Sequence, residues 1–186
     1  VIQDLIEQWN EETMFLVGMN WSRKKLNQQI RMVTFGGYEL SEEPMTGDRV
    51  ICLRNNWEVG IYNGMLGTVE SLENDFDDDG NHHWYKSSIV MDDGRIFTGR
   101  ISKHQFEHET TKRDYEGVLH KDVGELFDFG YALTVHKAQG SQAHKVVVFE
   151  ERNKHMSDDD WRRWLYTAVT RAEEELVIIG NGIGSK

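Results

Sequence analysis

Three turn-forming dipeptides, Asn63-Gly64, Asp79-Gly80 and Asp93-Gly94, fall in one stretch of this chain, between short runs of alternating residues: RVICLR, GTVESL, SSIVMDD and RIFTGRI. Asn-Gly and Asp-Gly tolerate the positive φ that tight hairpins demand. Residues from Asp48 to about Gln105 are therefore predicted to form a small antiparallel barrel, and helices are confined to either side of it.

The flanks have a different texture. MFLVGM (14–19) is a short apolar run, and the helix after it carries Leu26 and Ile30 on one face, with Asn20 or Ser22 as its cap. Glycines, Pro44 and acidic residues in GGYELSEEPMTGD mark a break. Beyond residue 120 come the strand FDFGYALTV, a short helical or loop piece, the strand KVVVFE, a helix and the strand ELVIIG. Ser157 caps that last helix, Asp158 to Asp160 fill its positive first turn, and Trp161, Trp164, Leu165 and Ala168 form its predicted buried stripe. Apolar strands alternating with helices imply a mostly parallel sheet. The expected organisation is an α/β domain over 1–46 and 111–186, with the barrel inserted as 47–110.

At 186 residues the chain is long enough to bury a core. No apolar run approaches the roughly 18 residues of a membrane span, and there is no signal-peptide pattern, so no membrane partner is expected. The single Cys52 excludes an internal disulfide framework and a cysteine zinc site, and it suits a reducing compartment, with the cytoplasm as default. A net charge of −11 argues against a passive polyanion coat, which works through counterion release from a basic surface. Contact with nucleic acid would need a local groove. Basic residues gather at Arg23 to Lys25, at Arg95, Arg100 and Lys103, and at Arg162 and Arg163. The chain opens at Val1 within an amphipathic pattern, Ile2, Leu5, Ile6 and Trp9, as a piece of something longer would.

Chemistry concentrates in few places. DFDDDG (75–80) matches the first half of a calcium loop, but the position that should hold a bidentate glutamate is Lys86, so no metal site is expected and the segment reads as a solvated hairpin tip. His82 and His83 read as loop residues, since neighbours on a strand face opposite sides. YALTVHKAQGSQ (131–142) begins as a buried strand and ends in polar residues. Ligands of open parallel sheets bind beyond strand ends, where Thr134, His136 and Lys137 offer a hydroxyl, an imidazole and an ammonium, and Gly140 permits close backbone approach. An ordinary polar loop is the alternative. In LYTAVTRAEEELVIIG (165–180), Arg171 stands between a helix and a strand. Arginine clamps transferring phosphoryl groups, and the competing reading is a surface arginine paired with Glu173, Glu174 or Glu175.

Together these two stretches resemble motifs V and VI of superfamily 1 DNA helicases, in particular the RecD-like group with the Dda-type phage enzymes. MFLVGMNWSRKKLNQQIR resembles motif IV, and GDRVICLRNNWEVGIYNGMLGTV is similar to the segment that enters an SH3-like barrel inserted in the second RecA-like domain. The resemblance covers about residues 12 to 180. It implies an α/β fold, a RecA-like mostly parallel sheet with an inserted small antiparallel SH3-like β-barrel.

The resemblance also implies roles. Arg171 would meet the γ-phosphate of ATP, with Gly140 and Gln142 near the nucleotide and Asn20 and Arg23 as a second phosphate contact. Thr134, His136 and Lys137 would lie towards single-stranded DNA, and Asn56, Tyr62 and Asn63 would support the DNA channel from the barrel entry. Gln142 departs from the family's glutamate, keeping hydrogen bonding and losing a charge. Nothing in the chain matches the phosphate cradle G-x-x-x-x-G-K-[ST] or a Walker B strand. ATP and Mg²⁺ are therefore expected to be held mainly by an upstream RecA-like domain of the same protein, and this chain alone is expected to be inactive. The implied whole is an ATP-dependent helicase moving 5′ to 3′ on single-stranded DNA in a bacterial or phage-infected cell, with partners among replication or recombination proteins. A non-catalytic binding module on the same fold is the alternative.

Overall fold

A computed structural model describes residues 1–37, 40–108, 118 and 120–180. In chain order its elements are α1 (Ile2–Glu7), β1 (Thr13–Val17), α2 (Asn20–Phe35), β2 (Arg49–Cys52), β3 (Leu66–Phe76), β4 (His82–Met91), β5 (Ile96–Ser102), β6 (Phe127–Phe129), β7 (Ala132–Thr134), β8 (Ala143–Phe149), α3 (Asp158–Val169) and β9 (Ala172–Ile179). They fall into two compact units, 1–40 with 131–186, and 41–130.

The first unit is a four-stranded parallel sheet in the order β7-β1-β8-β9. β1 has a neighbour on each side and every residue of it is buried, which is why its sequence is a continuous apolar run rather than an alternation. Leu26 and Ile30 of α2 are buried, each contributing about 1.5–3 kcal/mol by leaving water. Asn27, also on α2, accepts a 2.7 Å hydrogen bond from the Ala132 backbone N–H, tying the helix to β7. Gly36 ends α2 in the left-handed region at φ 62°, and the Gly37 N–H reaches back to the Met32 carbonyl.

The start of α2 departs from expectation. Neither Asn20 nor Ser22 is its cap residue, since the helix begins at Asn20 and Met19 carries no side-chain cap. The Glu151 carboxylate, just past β8, accepts hydrogen bonds from the Gly18 and Met19 N–H groups at 3.0 Å and from the Ser22 hydroxyl. An acceptor from another element thus satisfies the orphan donors and the positive helix end. Gly18 is required there, because a Cβ would collide with the Glu151 carbonyl. α3 is capped as expected, the Ser157 hydroxyl accepting from the Asp160 N–H. Of its predicted stripe only Ala168 is fully buried, while Trp161, Trp164 and Leu165 are half-buried.

The second unit is a five-stranded sheet in the order β5-β4-β3-β2-β6, antiparallel throughout. It curls back on itself: Ile101 at the end of β5 bridges Glu125 just before β6, through Ser102 N–H to Glu125 O and Glu125 N–H to Arg100 O, both 2.9 Å. Its core gathers Val50, Ile51, Val69, Ile89, Phe97, Phe127 and Phe129. Cys52 lies in it, and burial pushes its thiol up to about 11. The Asp79-Gly80 and Asp93-Gly94 turns lie in the connections from β3 to β4 and from β4 to β5, with Gly80 N–H donating to Asp77 O and Gly94 N–H to Met91 O. Only the glycines take positive φ, 83° and 86°, as in a type I turn closed by a left-handed residue.

Two boundaries move. FDFGYALTV is not one strand: Phe127–Phe129 pairs antiparallel with β2, whereas Ala132–Thr134 pairs parallel with β1. The compact unit that holds this sheet runs from Ser41 to Gly130 and takes in β6 as the second neighbour of β2. Gly130 sits where a Cβ would press on the Val50 backbone at 2.9 Å. His82 and His83 are not loop residues but the first residues of β4. The His82 Nδ1 lies 3.1 Å from the Lys103 ammonium, and His83 lies 3.1 Å from both Asp77 and His104. Asp75 is buried against Arg100 and Lys86, and Asp77 orders its own turn by accepting from the Asn81 amide, so these carboxylates serve the hairpin.

Candidate functional site

The parallel sheet separates the residues of YALTVHKAQGSQ into two groups. Phe15 pairs with both Ala132 and Val147, so Thr134 stands two residues beyond that level and Ala143 four residues before it. At about 3.3 Å per residue the two ends are roughly 20 Å apart along the strands. Thr134, His136 and Lys137 lie at the carboxyl edge, and Gly140, Ser141 and Gln142 at the amino edge.

At the amino edge the chain brings Arg171 to this loop. Arg171 ends the α3 turn, with its N–H bonded to Ala168 O, and its carbonyl accepts from the Ala143 N–H at 3.1 Å, which locks the start of β9 to the start of β8. Its guanidinium donates to the carbonyls of Thr167 (3.2 Å) and Ser141 (3.4 Å) and to the Thr170 hydroxyl (3.3 Å). All three acceptors are neutral. Two of the three glutamates that competed for it are directed elsewhere: Glu175 pairs with Lys145 at 2.8 Å, and Glu174 faces His144 at 3.6 Å. Among the described residues Arg171 therefore makes no ion pair, and a half-buried guanidinium keeps its full charge for an anion. Beside it, Ser141 is buried, while Gly140 and Gln142 are exposed. Gly140 has φ 84° and open space where a Cβ would stand, so the backbone conformation, not crowding, calls for glycine.

At the carboxyl edge the Thr134 hydroxyl accepts from the Lys137 N–H at 3.4 Å, and its carbonyl from the Ala138 N–H at 3.1 Å. It thus turns the chain and presents His136 to solvent, with Lys137 half-buried. Asn20 and Arg23 belong to this edge too, because α2 starts directly after β1. The structure does not bring them to Arg171. Arg23 is fully buried, its Nε donating to the Asn20 side chain at 3.3 Å, so it is no part of an exposed basic patch.

Asn56, Tyr62 and Asn63 lie in the second unit, in the loop between β2 and β3. Asn56 and Ile61 form an isolated bridge, Asn56 donates to Glu125 at 2.7 Å, and the Asn63 N–H donates to the Asn55 side chain at 2.8 Å. Sequence reasoning missed Glu151, which sets the start of α2 from 133 residues away, and Trp57, whose ring packs 4.6 Å from that of Tyr62. Glu151 has no local signal. Trp57 had one, an aromatic residue amid turn formers.

The family described as the UvrD-like helicase C-terminal domain matches residues 129–179, which hold both edges. The ATP-dependent RecD2 DNA helicase of Deinococcus radiodurans is 30% identical over 78% of this chain and 16% of its own length. A probable conjugal transfer protein, TraA, of Sinorhizobium fredii is 26% identical over 94% of the chain and 14% of its own length. The chain thus spans less than a fifth of these relatives. Among solved structures, the Pif1 helicase from Bacteroides, in complex with ADP-AlF3 and single-stranded DNA, superposes with a TM-score of 0.55 at 18% identity, covering 99% of this chain and 45% of that one. Sequence and fold agree in likening the chain to the C-terminal region of superfamily 1 helicases.

Proposed function

We propose that this chain is the second motor domain of an ATP-dependent DNA helicase, which supplies an arginine to a nucleotide held mainly by an upstream RecA-like domain. The observation that carries the reading is Arg171, whose guanidinium is fixed by three neutral acceptors and left unpaired by the neighbouring glutamates. A charge so held is pre-organised for a γ-phosphate.

The residues fit such a ligand at the amino edge. Gly140 and Gln142 flank Arg171 on an exposed loop, Gly140 offering backbone and Gln142 an amide where a glutamate would add repulsion. Bound ATP with Mg²⁺ supplies the free energy of phosphoryl transfer. Mg²⁺ is assigned to the upstream domain, as is the phosphate-cradling loop G-x-x-x-x-G-K-[ST], which no stretch of this sequence matches.

The carboxyl edge is assigned to single-stranded DNA, with His136, Lys137 and Asn20 along it and Thr134 shaping the turn. The single-stranded DNA bound to the Pif1 helicase from Bacteroides supports this. The segment from Ala138 to Ser141 links the edges, so a change at Arg171 is felt through one short loop at Thr134. The curled antiparallel sheet is the SH3-like barrel of the inserted domain, and Asn56, Tyr62 and Asn63 support the strand from it. The direction of travel is 5′ to 3′, the location cytoplasmic, and replication or recombination proteins are the expected partners.

An ATPase assay tests the reading. The isolated chain is expected to show no turnover. The full-length protein should hydrolyse ATP with stimulation by single-stranded DNA, and Arg171→Ala should lower kcat by about 10³-fold or more. Arg171→Lys should rescue little, because a point charge does not reproduce the planar fork. An inactive full-length protein, or an Arg171→Ala variant with wild-type turnover, would refute the motor assignment.

A further inference from the structure

The loop between β2 and β3 spends many hydrogen bonds to hold an indole in water. Asn56 and Ile61 exchange backbone hydrogen bonds of 2.8 and 3.1 Å, the Asn56 side chain accepts from Glu58 N–H at 3.1 Å and donates to Glu125 at 2.7 Å, and Asn55 accepts from Asn63 N–H at 2.8 Å. A loop so tied is rigid, yet Trp57 at its tip is 74% exposed. Among the described residues its one ring contact is Tyr62, at 4.6 Å between centroids and tilted by 52°.

The row continues. The Arg95 guanidinium lies 5.6 Å from the Tyr62 ring centre, held there by Asp93 at 2.6–2.7 Å. Gly60, at φ 71°, lets the loop backbone pass this guanidinium, since a Cβ would stand 3.0 Å from Nη1. Indole, phenol and guanidinium thus form one ladder from two turns of the inserted unit, with Asn55, Glu58, Asn63 and Asp93 exposed around it. Three flat π-bearing groups are too small for a protein interface of some 20–30 residues a side, but they match the scale of one or two unpaired bases.

We infer that Trp57, Tyr62 and Arg95 form a stacking platform for unpaired bases of single-stranded DNA, with Trp57 as the ring the base covers. Stacking is indifferent to base identity because every base has a π face. Arg95 adds cation–π attraction to Tyr62 and stiffens the ring from behind. The assignment rests on the proposed strand-binding function, which already includes Tyr62, and adds Trp57 and Arg95 to it.

The test uses the full-length protein and oligonucleotides carrying the fluorescent base 2-aminopurine. Wild type is expected to quench 2-aminopurine at one position of a bound strand, Trp57→Ala to abolish that quenching and raise Kd about tenfold, and Trp57→Phe to restore most of the affinity. Circular dichroism and the melting temperature of each variant check that the fold is kept, and Arg95→Ala, expected to weaken binding less, serves as a second probe. Unchanged Kd and quenching in Trp57→Ala, with wild-type ATPase still stimulated by single-stranded DNA, would overturn the platform while leaving the motor reading intact. Loss of that stimulation in wild type would instead overturn the motor reading itself.

Discussion

At the residue scale, function depends on which charges are compensated. Arg171 and Glu175 are near in sequence, but strand geometry turns Glu175 onto Lys145, so proximity in the chain did not become an ion pair. His82 shows the converse, a side chain with two aromatic neighbours, Phe76 and Tyr85, and a buried Nε2 that has no partner among the described residues. Burial, then the Lys103 ammonium, holds its pKa below the ordinary 6.5, with Glu43 opposing and His83 adding to the lowering. Because the folded value lies under the unfolded one, its contribution to stability is complete above pH 6.5 and is lost as pH falls from there through the lower folded value. An NMR titration is expected to place the His82 midpoint below that of a model histidine, and Lys103→Ala to raise it. A midpoint at or above 6.5 would contradict this environment.

At the scale of elements, the ends matter more than the middles. α3 carries its own cap in Ser157, whereas α2 borrows Glu151 from the end of β8. Glu151→Ala should therefore free two backbone donors and a hydroxyl at once, at a cost of about 1–3 kcal/mol, seen as a lower denaturation midpoint in urea. Glu151→Gln keeps an acceptor without the charge and should recover part of that loss. Equal midpoints for wild type and Glu151→Ala would mean that water replaces the carboxylate fully. The same contact fixes Asn20 at the carboxyl edge, so a weaker cap should also loosen that edge.

At the scale of the whole molecule, the two units have separate sheets. The boundary has a measurable consequence. A fragment of residues 41–130 retains both neighbours of β2 and should give a dispersed amide spectrum with protected strand amides. A fragment of 47–110 lacks β6, strips the edge of Val50, Ile51 and Cys52, and should be unfolded. If the shorter fragment folds as well as the longer, β6 is dispensable and the division at Gly130 is wrong.

Much of this was legible from residue order alone. A continuous apolar run at 14–17, turn dipeptides at 79–80 and 93–94, and the Ser157 cap act through neighbouring residues, and local physics is written locally. For that reason the mixed α/β class, the inserted antiparallel sheet and the family resemblance could all be read before any coordinates. What only the tertiary structure decided depends on partners distant in the chain: Glu151 on α2, Phe127–Phe129 joining β2 rather than continuing into Ala132–Thr134, the burial of Arg23, and the absence of an ion pair to Arg171 among the described residues. An apolar strand looks the same from either side of Gly130, and a guanidinium carries the same charge whatever lies near it. Which sheet takes the strand, and which oxygens surround the arginine, are settled only when distant segments pack.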